Sequence, residues 1–482
     1  MSNNSAKSYE YDAVVVGSGP NGLAAAILLQ QNGLSVLLLE GKNQAGGGLS
    51  TEELTLPGYH HDVCSAIHPL AAGSPFFQTL PLEQHGLQYI YPDIAAAHPF
   101  DDGTAAVLTR SVAQTASLLG ADSEAYSRLM TPLVESWPRI AADVLAPLHF
   151  PAYPVALAQF GLKALTSAVN LSKRFETVQA KALFAGMAAH SIQPLTNVAT
   201  SAAALVLMIN GHLKGWPVPI GGSKSIATAL IAYFISIGGR LETNTYVTSL
   251  SQLPPAKAVL FDITPRQLLA IAGHRFSAIY KWQLARYRYG MGVFKVDWAL
   301  DDIIPFKAEA ARQAGTIHLG GTLQEITDSE YQTSTGRYPD RPFVLMAQQS
   351  VFDKTRAPAF KHTGWAYCHV PNGSAKDMTE IIERQVERAA PGFRERILAR
   401  HTLTPTQLEH YNPNNIGGDI NGGIIDLSQL FTRPALRSSP YRTSTKGLYI
   451  CSSSTPPGGG VHGMCGYHSA KRALKDIFNI KT

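Results

Sequence analysis

Cysteine is scarce in this chain, with four in 482 residues, at positions 64, 368, 451 and 465. No two stand in a C-x-x-C arrangement. Neither a zinc site nor a disulfide framework is therefore expected, and the four read as free thiols of a reducing compartment. Long apolar runs are missing too. The stretch AAALVLMI at 202–209 is far short of the 18 residues a spanning helix needs. The opening MSNNSAKSYE has neither the apolar core of a signal peptide nor the arginines of a transit peptide. The expectation is a cytoplasmic protein, with peripheral contact to a membrane surface left open. Net charge is only +5 and the basic residues are scattered, without interleaved aromatics, so nucleic acid is not an expected partner. Ser-His-Asp, paired-carboxylate and metal-ligand spacings are also absent, so no metal is expected and the chemistry falls to a cofactor.

What is present begins at once. The segment YDAVVVGSGPNGLAAAILLQQNGLSVLLLE reads as a short buried strand, a glycine turn, a helix closed by Gly33, a second strand and an acid at its end. Gly17 allows the tight turn, Gly19 lets the backbone approach a pyrophosphate, and Gly22 lets the helix lie close on the strand. Pro20 and Asn21 complete the turn at the helix N-terminus, whose unpaired N–H groups attract phosphate. Glu40, eighteen residues past Gly22, stands where a carboxylate accepts from ribose hydroxyls. This is a dinucleotide site.

The choice between NAD and FAD rests on a second set of glycines. Gly41 and then Gly46-Gly47-Gly48-Leu49 come directly after Glu40. A nicotinamide dehydrogenase usually runs straight into its next crossover, whereas a glycine pair here suits a flavin's ribitol-pyrophosphate. The segment PIGGSKSIATALIAYFISIGGRLETNTYVTSL reads as a glycine turn, a helix over 225–237 and a strand pair carrying Val247, whose backbone is placed to meet adenine. Near the end, KGLYICSSSTPPGGGVHGMCGYHSAKRALKDIF reads as a strand over 448–451, a glycine turn and a helix beginning near Val461. A reduced flavin is anionic near N1 and O2, so helix N–H groups aimed there stabilise it. Gly458, Gly459, Gly460 and Val461 are expected to line the flat ring.

Together, VVVGSGPNGLAAA…LLLE…GGG, PIGGSKSIATAL and GLYICSSSTPPGGGVHG resemble the phytoene desaturase-like FAD oxidoreductases. TEELTLPGYHHDVCSAIHPL, GGDINGG and STPPGGGVHGMCGYHSA resemble the branch containing pyridine nucleotide-disulfide oxidoreductase domain-containing protein 2. The resemblance spans nearly the whole chain. It implies FAD in a two-dinucleotide-binding-domain fold, with Gly17, Gly19, Gly22 and Glu40 on the ADP half, Gly47 and Gly48 at the pyrophosphate and ribitol, and Gly458 to Val461 along the flavin. Ser452-Ser453-Ser454 departs from the small glycine-containing residues common there. Ser453 and Ser454 either bond ribitol or phosphate, or cap the turn.

Cofactor segments this far apart must meet in space. The expected class is α/β: a Rossmann-like FAD-binding domain gathering 1–75, 215–275 and 415–482, interleaved with an α+β substrate domain of 76–214 and 276–414. Strands are expected within YRYGMGVFKVDWALD, PFVLMAQQSVFD and GWAYCHVP, forming a mostly antiparallel cavity wall. The Pro- and aromatic-rich stretch 144–175 reads as a buried helix pair or, with Lys173-Arg174, as a surface lid. The expected function is dehydrogenation or desaturation of a largely apolar, isoprenoid- or polyene-like small molecule. A flavin-binding scaffold and an amine oxidase, with Trp365 and Tyr367 as its aromatic hints, are the alternatives. His462, beside the ring-facing glycines, is the candidate proton relay or helix cap. His468 and Cys465 are expected to pack. Asp419 and Asn421 either reach the flavin edge or shape their loop.

Overall fold

The computed structural model describes residues 9–481. Strands Tyr11–Val16, Val36–Leu39, Arg240–Glu242, Ala256–Phe261 and Leu448–Ile450 form one fully parallel sheet, ordered 448–450, 256–261, 11–16, 36–39, 240–242. Three distant chain segments thus share a sheet. Ala13, Val14 and Val15 are completely buried, as the continuous apolar run of a strand covered on both faces requires. On one face lies the helix Pro20–Gln31, with Pro20 at its first turn, where a missing N–H costs nothing. The last helix, Met464–Ala473, crosses it so closely that a Cβ on Gly466 would lie 1.7 Å from the Asn21 carbonyl oxygen.

A second sheet has seven strands, ordered 397–403, 292–300, 362–370, 344–347, 314–319, 94–99, 105–109. It is antiparallel except where Ala314–Leu319 pairs with Ile94–Pro99. The three strands expected from the sequence form its centre. Over it pack two helices, Val178–Ala189 and Thr200–Lys214, the first buried on nearly every side. Beside them lies the long helix Ser123–Val144, whose buried residues Tyr126, Leu129, Met130, Leu133, Trp137 and Ile140 recur every three to four positions.

Several boundaries differ from expectation. Val247 does not lie in a strand. Arg240–Glu242 pairs with Val36–Leu39, and Asn244 then turns the chain with φ +56°. The Asn244 and Thr245 amides donate to the Lys42 and Glu40 carbonyls, laying Val247 across the end of the second strand. The last helix starts at Met464, not near Val461. Gly458, Gly460 and Gly463 have φ of +111°, +123° and +68°, outside any right-handed helix. The stretch 144–175 is not a buried pair. Helix Pro154–Ala164 buries Phe160 and Ala164 but leaves Val155 71% and Leu162 77% exposed, with Phe150 at 90% just before it. Among the described residues no helix is long and apolar enough to cross a membrane.

Candidate functional site

The first strand ends in Gly17, whose φ of +97° only glycine adopts freely. A Cβ on Gly22 would stand 1.9 Å from the Gly17 carbonyl oxygen, so the helix can rest on the turn only without a side chain. Gly47 folds back over the same turn, where a Cβ would meet Gly19 Cα at 2.8 Å. Glu40 Oε2 accepts from the Ser18 amide at 3.1 Å and its hydroxyl at 2.5 Å, and Oε1 accepts from the Lys42 amide at 3.0 Å. The carboxylate is held at the strand end with lone pairs left for further donors.

These elements open on a cavity of about 740 Å³, large for a ligand pocket. Gly17, Gly19, Pro20, Asn21, Glu40, Gly41, Gly47, Gly48, Val247, Ser453, Gly459, Gly460, Val461 and His462 line it. The remaining expected contacts sit behind the wall. Gly22 lies under the first turn. Gly46 donates to Ser18 Oγ at 3.0 Å, Leu49 is core, and Gly458 backs onto Arg433. Ser454 Oγ donates to the Gly422 carbonyl at 2.7 Å, so it ties the turn, while Ser453 faces the cavity.

The geometry of this wall fits a stretched dinucleotide. The turn is packed without side chains: a Cβ would crowd backbone at Gly17 and Gly47, and the Asp262 carboxylate at Gly19. Among the described residues no protein group bonds the Val247 N–H or C=O, which leaves both for an adenine edge. Glu40 would hold the ribose, the first helix N-terminus the pyrophosphate, and Gly459 to Val461 the ring.

His462 is buried, and Nδ1 accepts the Met464 amide at 3.0 Å. Burial pushes its pKa down to about 4, against the Gly459 and Gly458 carbonyls, so it is neutral at pH 7. Its geometry is that of a helix cap. Cys465 is buried, its Sγ 3.4 Å from the Thr455 and Gly458 carbonyls, and burial raises its pKa to about 11. His468 Nε2 donates to the Leu145 carbonyl at 3.0 Å and its ring stacks on Tyr441, a packing role. All four cysteines are free, as expected. Asp419 accepts from the amides of Gly290, Asn421 and Gly423 and so shapes its loop, while Asn421 reaches the cavity.

Three functional groups escape a reading of the sequence alone. Asp262, at the end of Ala256–Phe261, accepts the Gly22 amide at 2.9 Å. Burial lifts its carboxyl to about 7 against that hydrogen bond, and the Glu40 charge adds to the rise. Arg433 is buried and donates to the Ser453 carbonyl at 2.8 Å, bracing the terminal glycine turn from behind. Lys295 lies on Gly292–Leu300, buried, lining the cavity and paired with Asp297. Burial works to raise the Asp297 carboxyl, but Lys295, with His401 and His61 beside it, outweighs burial and holds it below its ordinary value. A strand-end acid and a charge inside an apolar strand are the available signals, and both need tertiary context to be read.

The same cavity has a chamber side, walled by Val144, Leu145, Ala202, Ala203, Val206 and Leu207 on the helices, and by Val293, Leu345, Ala347, Trp365 and Tyr367 on the sheet. A cradle for a dinucleotide therefore opens directly into an apolar room.

Residues 15–80 match the family model of the NAD(P)-binding Rossmann-like domain. Over 98% of its length the chain is 27% identical to mouse pyridine nucleotide-disulfide oxidoreductase domain-containing protein 2, covering 94% of that protein. It is 24% identical to a limonene dehydrogenase subunit of Castellaniella defragrans, covering 97% of this chain and 95% of that one. It is also 24% identical to the neurosporene-forming phytoene desaturase of Rhodobacter capsulatus, over 51% of each chain. The chain is a homologue of these oxidoreductases. The structure of putrescine oxidase bound to putrescine superposes with a TM-score of 0.61 over 98% of this chain and 99% of that one, at 16% identity, and shares its fold. The kinship and the Rossmann-like α/β fold expected from the motifs are as found, and the FAD that the motifs imply fits the geometry of the cradle.

Proposed function

We propose that this protein is an FAD-dependent dehydrogenase or desaturase of a largely apolar small molecule, polyene- or isoprenoid-like. One observation carries the reading: the cofactor cradle shares its cavity with walls that are mostly aliphatic and aromatic. Bound FAD supplies a hydride acceptor at N5. The chain's part is positional. Gly459 and Gly460 keep side chains off the ring face, the helix and sheet walls orient the substrate's C–H bond, and apolar burial excludes water. His462, neutral and held by backbone on Nδ1, fixes the glycine turn and does not serve as the proton acceptor in this scheme. The relative named for limonene, an apolar terpene, supports the substrate class.

The two sheets support a division into an FAD domain of 1–75, 215–275 and 415–482 and a substrate domain of 76–214 and 276–414. A cytoplasmic location belongs to the same proposal. So does peripheral membrane contact, which the exposed Leu148, Phe150, Val155 and Leu162 next to the chamber residues Val144 and Leu145 support.

The amine oxidase alternative draws on Trp365 and Tyr367, whose rings meet edge-on at 5.3 Å on the chamber wall. Lys295 lies 6.0 Å from the Trp365 ring, its charge answered by Asp297, so no unpaired carboxylate of this pair is left to draw in an ammonium substrate. The scaffold alternative draws on no specific feature of the site. The test is anaerobic titration of the purified yellow holoprotein with geraniol-derived hydrocarbons, carotenoid precursors and primary amines. Bleaching at about 450 nm, the flavin band, by the isoprenoids alone supports the proposal. Bleaching only by amines overturns it.

A further inference from the structure

Of the imidazoles that line the cavity, His68, His190, His410 and His462, His190 is the one that faces a second imidazole among the described residues. His190 follows the helix Val178–Ala189, is partly buried, and lines the cavity beside Ile192 and Trp216. Its Nε2 lies 3.0 Å from Nε2 of His318, a fully buried residue of strand Ala314–Leu319. Two imidazoles facing each other through these atoms can share only one proton, so one donates and one accepts.

The surroundings decide which. His318 Nδ1 is buried with no hydrogen-bond partner among the described residues. It lies against Gly186, where a Cβ would come within 2.7 Å of it, so no acceptor stands there. A buried N–H without an acceptor is rarer and costlier than a bare lone pair. Nδ1 of His318 therefore carries the lone pair and Nε2 the proton. His318 donates, His190 Nε2 accepts, and the proton of neutral His190 sits on Nδ1. That nitrogen has no protein partner among the described residues, and the residue belongs to the cavity wall. Burial holds both rings neutral, His190 down to about 3 and His318 well below the ordinary value.

We propose that the His190–His318 pair is a tautomer-locked hydrogen-bond donor, which selects a substrate carrying one acceptor oxygen, a carbonyl or ether, on an otherwise apolar skeleton. This rests on the apolar-chamber reading above and narrows it. Gly186 is part of the device: it lets the helix approach close enough for the two rings to meet. Lys295 and Trp365 bound the same chamber on the sheet side, and His190 presents its N–H from the helix side.

The test uses the FAD-loaded full chain and two probes of one shape, β-ionone and the hydrocarbon lacking its carbonyl oxygen. Binding is read by perturbation of the flavin visible spectrum and by calorimetry. The wild type should bind the ketone about 3- to 10-fold more tightly, the worth of one neutral hydrogen bond. His190→Phe should abolish that preference. His190→Gln, which retains an N–H, should keep part of it. ¹⁵N spectra of histidine-labelled protein at neutral pH should place the His190 proton on Nδ1. Equal wild-type affinity for both probes, or a proton on Nε2, overturns the proposal while leaving the apolar chamber intact. Failure of either probe to bind overturns the chamber reading, and this proposal with it.

Discussion

The cradle and the chamber share one cavity but are built by opposite means. The cradle is made of backbone. Gly17, Gly19, Gly22 and Gly47 act through missing side chains, and the polar groups that matter, Glu40 and Asp262, are held by neighbouring amides. The chamber is made of side chains delivered by helices on one side and the second sheet on the other. Lys295 is paired there with Asp297, and His190 with His318. The two buried carboxylates show the contrast. Asp297 is held below its ordinary range by Lys295 despite burial, while Asp262, with only an amide and a nearby Glu40, is pushed up to about 7. The first region tolerates no added atoms; the second tolerates no unpaired charge.

The contrast breaks first at Gly22. Gly22→Val places carbon 1.9 Å from the Gly17 carbonyl, so the helix must leave the turn. We expect FAD affinity to fall more than about 100-fold, read as loss of flavin absorbance from protein whose far-ultraviolet circular dichroism still reports both sheets. Retained FAD would mean that the cradle is not backbone-limited. The next largest effect belongs to the chamber. Asp297→Leu strands Lys295 in a buried site and should cost about 3–5 kcal/mol in denaturant unfolding, whereas the double variant Lys295→Met/Asp297→Leu should recover most of it. In both variants FAD bound per folded molecule should stay unchanged. A loss of FAD equal to that of Gly22→Val would erase the distinction between the regions.

The same contrast explains how much of the molecule is legible in its sequence. The cradle is legible because its chemistry lies in local spacing: Gly17 to Gly22, Glu40 at the next strand end, and the terminal glycines. The parallel sheet is legible with it, since 11–16, 36–39 and 448–450 each carry a buried run. Val247 reaches the cavity as expected but from a different element, because the turn at Asn244 depends on amides donating to Lys42 and Glu40 carbonyls. The last helix starts later than its pattern suggests, because three glycines with positive φ, and His462 capping from between them, are invisible to periodicity. Asp262, Lys295, Arg433 and the histidine pair cannot be picked out in advance. Each acquires its meaning from a partner brought near by the fold, or from burial alone. Lys295 in VFKVDWAL reads as a solvent-facing strand residue until a second layer covers it.

Asp262 sharpens the distinction through pH. A carboxyl whose folded pKa exceeds its unfolded value contributes its full stability only where both states are protonated, below about pH 4. As pH rises from about 4 to 7 the unfolded chain ionises first and stability falls, and above about 7 the loss is complete. For a shift from 3.8 to about 7 this is on the order of 4 kcal/mol. Asp262→Asn keeps an acceptor for the Gly22 amide and removes the charge. It should match the wild type at about pH 4 and exceed it at about pH 8 by most of that amount in chemical denaturation. A constant difference across the range would show that Asp262 is not a buried, displaced acid.

The smallest effect is expected at Trp365, on the chamber side. Its ring is 5% exposed and its Nε1 is buried with no acceptor. Trp365→Phe gives up apolar contact worth about 1–2 kcal/mol but also removes an unsatisfied N–H that costs about 1–3 kcal/mol. The two nearly cancel, so unfolding free energy should move by less than about 1 kcal/mol and FAD content not at all. What should change is the fit of the substrate: the edge-on contact with Tyr367 at 5.3 Å is lost from the wall, and KM should rise several-fold with kcat little altered. A change in kcat or in the flavin spectrum without one in KM would instead move Trp365 from the substrate wall to the cofactor's side of the cavity.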